Sequence, residues 1–117
     1  MTGYVDAKMA FADVDKGTAN EFAGELAEFL TDELPGASVT RQRDDPLTQD
    51  FGATLAVILG SAAVTALAKG IAAWLARRHE AVVVLQKTDD AGNTRKIQVN
   101  GQIGARTERV IADFLES

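Results

Sequence analysis

One stretch limits what this chain can fold into more than any other. It runs from Pro46 to Arg78, PLTQDFGATLAVILGSAAVTALAKGIAAWLARR, and nothing from Phe51 to Ala68 carries a charge. A segment this apolar has to be covered on more than one side, by the rest of the chain or by a partner. Read as one long helix, it starts at Asp44-Asp45-Pro46. Asp45 can cap free N–H groups there, and Pro46 suits the first helical position. Leu47, Phe51, Leu55, Ile58, Ala62, Leu67, Ile71 and Trp74 trace one broad apolar face, with Val57, Gly60 and Val64 beside it. Gly52, Ala56 and Gly60 fall four apart, and such rows of small residues let another backbone come close. Gly60 has two readings: a tight contact inside the domain, or a contact with a second copy or a partner helix. Gly52, Ala56, Gly60, Val64 and Trp74 are therefore the candidate interaction residues.

The elements around this segment are shorter. Tyr4 to Val14 alternates, with Val5, Ala7, Met9 and Phe11 on one side, and predicts a strand with one buried face. Thr18 and Glu21 have capping-box spacing. Phe22, Leu26, Phe29, Leu30 and Leu34 then recur at helical spacing up to Pro35-Gly36. Glu21, Glu25, Glu28 and Asp32 form an acidic stripe on the far side, read as a solvated face. Ala37 to Arg43, with Arg41 and Arg43, suits a sheet edge. Ala81 to Leu85, AVVVL, predicts a central strand covered on both faces. Turn formers from Thr88 to Asn93 close a hairpin onto Arg95–Asn100. Thr107, Val110, Ile111, Phe114 and Leu115 give a final amphipathic helix.

The order is β-α-β-α-β-β-α in one domain spanning residues 1–117. Crossovers through helices favour parallel pairing of the first three strands. The expected α/β (α+β) fold is a four-stranded mixed sheet with helices packed on it. Phe11 and Val83 are expected at its core.

Composition excludes several function classes. The net charge of -5 argues against phosphate-driven nucleic-acid binding. The chain has no cysteine, which removes disulfide and thiol chemistry. With His79 as its single histidine, a structural zinc site is excluded too. No GxGxxG, Walker or GxSxG pattern occurs. The reading is of a non-enzyme that needs no cofactor or metal. The N-terminal residues lack the basic start and apolar run of a signal peptide, so the cytoplasm is the expected location. A membrane alternative uses residues 51–76, with Arg77-Arg78 as a basic flank. Lys69 interrupts it, and much of the run is Ala, Gly, Ser and Thr.

Ser61-Ala62-Ala63-Val64-Thr65-Ala66-Leu67, Trp74-Leu75-Ala76-Arg77-Arg78 and the Val82-Val83-Val84 strand with its charged hairpin resemble the effector-associated constant component family. The resemblance covers nearly the whole chain, and residues 51–100 most clearly. It implies a non-enzymatic constant partner of variable effectors, such as caspase-like or trypsin-like proteases, in bacterial conflict and defence loci. It supplies no catalytic residues. The expected function is an adaptor that associates with itself, as a homo-oligomer, or with an effector protein. The alternatives are a membrane-attached adaptor and a small ligand-binding domain or enzyme.

Overall fold

The computed structural model describes residues 4–42, 54–78, 80–88, 92–101 and 105–116. Strand β1, Tyr4–Ala12, buries Val5, Ala7, Met9 and Phe11 on one side, as its alternation predicts. Helix α1, Lys16–Glu33, follows. Its cap is not the expected Thr18 and Glu21 box. Asp15 has extended backbone, and its Oδ1 accepts the Thr18 N–H at 2.7 Å. Thr18 already lies inside the first turn, so the carboxylate three residues earlier takes the capping role. Ala19, Phe22, Ala23, Leu26 and Leu30 line the buried stripe of α1.

Strand β2, Ser38–Gln42, is short and lies at one edge of the sheet. The long apolar segment then departs from expectation, because it is not one helix. Thr54–Gly60 forms strand β3, Ser61–Ala63 a 3₁₀ turn, and Val64–Arg77 helix α2. The physical reason is visible in TLAVILG. Leu55, Val57 and Leu59 alternate with Thr54, Ala56 and Ile58, and the segment is rich in β-branched and aliphatic residues. A short, wholly apolar run satisfies both periodicities. Burial against both neighbouring strands decides for the strand, since Leu55 and Val57 are fully buried there. The expected Asp45 cap, and Gly52, lie outside the described residues.

Helix α2 buries Val64, Leu67, Ala68, Ile71, Trp74 and Leu75, a helical stripe facing the sheet. Strand β4, Val82–Thr88, and strand β5, Thr94–Asn100, form the expected hairpin. Helix α3, Ala105–Glu116, ends the described chain.

The sheet has five strands in the order β2-β3-β1-β4-β5, and every adjacent pair is antiparallel. This corrects the four-stranded mixed sheet. Each helical crossover does join two strands that run the same way, but those strands are not neighbours. Helix α1 carries the chain from β1 to β2 across the position of β3. Helix α2 carries it from β3 to β4 across β1. The two units interleave, which makes the first four strands a split β-α-β arrangement extended by β5 and α3.

All three helices pack on the side of the sheet that carries Met9, Phe11, Leu55, Val57, Val83 and Leu85. Phe11 and Val83 are buried as expected. Ala10, Ala12 and Val84 form a small separate cluster on the opposite side, so β4 is buried on both faces as its composition predicts. The turn from β5 towards α3 runs close under α2. A Cβ built on Gly101 would lie 2.4 Å from the Leu75 carbonyl oxygen. Glycine is needed here for close approach.

Candidate functional site

Helix α2 occupies the middle of the helical layer, between α1 and α3. Its buried stripe is large, but its outer strip is small. Ala66 and Ala73 are exposed there, with Gly70 between them. A Cβ on Gly70 would come within 2.9 Å of Leu30 Cδ2, so glycine lets α1 lie close. Flanked by larger residues of α1 and α3, this low strip becomes the floor of a groove of about 770 Å³. Phe29 and Glu33 of α1 form one wall, and Glu108 of α3 stands on the other. Lys69 and Arg77 rise from the floor itself. The Arg77 guanidinium lies over the Phe29 ring, 5.8 Å from its centroid.

A polar latch beside the groove fixes α1 against α2. The Glu25 carboxylate accepts the Arg78 Nε–H at 2.8 Å on Oε1, and Arg78 Nη2 on Oε2. Oε1 also accepts the Trp74 indole N–H at 3.1 Å. The hydrogen bonds from Arg78 hold the Glu25 carboxyl below its ordinary range, and burial opposes them. Glu25 in turn pushes the Arg78 guanidinium up. Under this latch, Phe11, Phe22 and Trp74 meet edge-on, with centroids 5.4–5.8 Å apart. Glu25 is thus not simply part of a solvated stripe. Glu21, Glu28 and Asp32 are exposed.

Gly52 lies outside the described residues, and the other four sequence-predicted interaction residues do not share one surface. Trp74 is buried under the latch, and Val64 is buried at the start of α2. Ala56 is buried on the side of β3 turned away from the helices. Gly60 is half-buried at the end of β3, where an added Cβ would meet nothing within 4 Å. The row of small residues depended on a helix that divides between β3 and α2. The groove residues Phe29, Glu33, Ala66, Lys69, Ala73, Arg77 and Glu108 were missed. Ala66, Ala73 and Arg77 fall at helical spacing, a signal available once α2 is read from Val64 onward.

The groove offers a small apolar floor, two cations and two carboxylates. Among the described residues, no three His, Cys, Asp or Glu side chains gather into a metal-binding group. No described helix is long and apolar enough to cross a membrane. Residues 54–60 of the supposed span belong to the sheet.

The family described as Effector Associated Constant Component 1 matches residues 15–115. The chain belongs to this family. The match takes in every described element except β1 and the last residue of α3, so the latch, the groove and both sheet edges are parts of an effector-associated constant component. No curated protein and no solved structure shows significant similarity to the chain.

Proposed function

We propose that this constant component is a non-enzymatic adaptor of a bacterial defence system and associates with its effector through the groove over α2. The observation that carries the reading is the recessed outer strip of that helix. Ala66 and Ala73 stay exposed between the walls of α1 and α3, while the opposite face of the helix, Val64, Leu67, Ile71, Trp74 and Leu75, is buried. A groove of this shape accepts an amphipathic helix, whose apolar face meets the alanines and Phe29. Lys69 and Arg77 on the floor, and Glu33 and Glu108 on the walls, set its register by charge. Val64 and Trp74 act from beneath, by holding α2 in place. The family name supports an effector as the occupant, and a caspase-like or trypsin-like protease in the cytoplasm is the class expected. A second copy of the chain is the competing occupant.

The test is co-expression with the effector encoded beside the chain, followed by light scattering on the purified material. A mixed complex is expected. Ala66→Glu with Ala73→Glu should abolish it while leaving the far-ultraviolet circular dichroism unchanged. Retention of the complex by this folded double variant would refute the groove. A homo-oligomer that the same substitutions dissociate would assign the groove to self-association. No complex, with the chain monomeric at high micromolar concentration, would sink the adaptor reading.

A further inference from the structure

Strand β5 is an outer strand on a surface separate from the groove over α2. It is seven residues long, and Thr94, Arg95, Lys96 and Gln98 are exposed. Alternate residues of an outer strand direct their N–H and C=O groups away from the sheet, which is a template for another strand. The other edge is less open. Strand β2 has five residues, and its Arg41 is held by Asn20, with Nη2 2.7 Å from Oδ1.

The charge at the β5 edge runs against the rest of the chain. In a molecule of net charge -5, β5 carries Arg95 and Lys96 and no carboxylate. Helix α3 borders the same edge. Thr107 Oγ1 donates to the Asn100 carbonyl at 3.1 Å, and Lys87 Nζ donates to the Leu115 carbonyl at 2.6 Å. Lys87 pairs with Arg95, so α3 runs back along β5. Thr107, Ile111, Phe114 and Leu115 are its buried side. Glu108 faces the groove over α2. At 100° per residue, Arg106, Val110 and Asp113 then fall on the opposite flank, overhanging the outer edge of β5. Val110 is one of only a few large apolar residues left exposed among the described residues, at 39%.

From these placements we infer that the β5 edge binds an extended acidic segment of a partner protein, added as a sixth strand beneath the outer flank of α3. The main-chain groups of β5 supply hydrogen bonds. Lys96, which points to the helix-free side, receives one carboxylate. Arg106 receives a carboxylate on the helix side, with Arg95 also lying on that side. Val110 covers an aliphatic side chain between them. Asp113 opposes a second acidic residue at the far end of the flank, so the bound segment carries its charges apart rather than in a run. The same cations disfavour pairing of two β5 edges, since like charges would face each other.

The probe is a labelled peptide, Thr-Glu-Val-Val-Asp-Val-Thr, whose two acidic residues point to opposite sides when extended. A control peptide has Lys in place of Glu and Asp. With the full chain labelled for NMR, the acidic peptide should shift the amides of residues 94–100 and of Arg106 and Val110. It should also slow exchange of outward β5 amides. Lys96→Glu combined with Arg106→Glu, both at exposed positions, should weaken binding about tenfold. Raising salt should weaken binding of the unmodified chain. The inference is overturned by no binding, by equal binding of the lysine control, or by shifts confined to α2. Failure of the first two kinds leaves the groove reading standing, shifts confined to α2 would move the peptide to the groove, and the groove's own test leaves β5 untouched.

Discussion

Gly101→Ala tests the packing argument most directly. The added methyl would sit 2.4 Å from the Leu75 carbonyl oxygen, 3.0 Å from its carbon and 3.5 Å from the Ala76 nitrogen. The nearest atom is backbone, and it is held in the last turn of α2. It cannot rotate away as a side-chain tip would. The overlap is roughly 1 Å inside ordinary contact, so the β5–α3 turn or the end of α2 must move. Such overpacking costs about 1–3 kcal/mol. Lower entropy of the unfolded chain returns roughly 0.4–1 kcal/mol. A net loss of about 1–2 kcal/mol is expected, read as a lower urea midpoint with an unchanged slope. In a chain of this size it corresponds to a fall in Tm of roughly 4–10 °C. Gly60→Ala is the matched control. Its backbone is extended, at φ -66° and ψ 147°, and its Cβ would meet nothing within 4 Å. It should be neutral or slightly stabilising, which also removes the overpacking reading of Gly60. If Gly101→Ala proves as stable as Gly60→Ala, the close approach of β5 to α2 is wrong.

Three further outcomes follow from the same geometry. Val83 is fully buried in an interior strand, so Val83→Asp should cost several kcal/mol and abolish cooperative thermal unfolding. Glu25 has a folded pKa below its ordinary value of 4.5, chiefly through Arg78. Its contribution is therefore complete above that value and is lost as pH falls through the folded pKa. Glu25→Gln should flatten the acid limb of stability against pH, and at neutral pH should cost about 1 kcal/mol or less, because the pair is well exposed. Leu67, fully buried on α2, should lose about 2–5 kcal/mol on substitution by Ala, measured by urea titration.

Legibility in the sequence followed the clarity of each period. Strand β1, helix α1, β5 and α3 each carry a single periodicity between turn formers, and β4 is a short β-branched run, so they were readable. The edge position of β2 was readable from Arg41, and the double burial of β4 from AVVVL. The segment from Thr54 to Arg77 was readable only in its helical half from Val64, and its division into a strand and a helix was not. From Leu55 to Ala68 it carries no charge on any side, and such a run has no period to betray the break at Gly60-Ser61. Neighbouring strands settled the matter, and they lie far away in the chain. The sheet order was hidden for a related reason. Local sequence states that a crossover returns a strand in the same direction, not that another strand will take the place between. The groove was legible only in part. Ala66, Ala73 and Arg77 are periodic, but Phe29, Glu33 and Glu108 join them through packing of three separate helices.

The interleaving of the two crossovers has a kinetic consequence. The middle strand of the sheet is the earliest one in the chain, and both of its neighbours come late. Ala12 pairs with Val82 and Ala7 with Lys87, a separation of 70 to 80 residues. Pairing over such distances has to close large loops before it is rewarded, which places folding of sheets of this kind on the slow side for their size. During synthesis, Ala7 and Met9, which pair with both neighbours in the finished sheet, stay without their second strand until residues 85–87 have emerged. Helix α1 can shelter them earlier, because it follows within a few residues and packs directly on β1. The first helix is thus a temporary cover for an unfinished sheet as well as a permanent wall of the finished one.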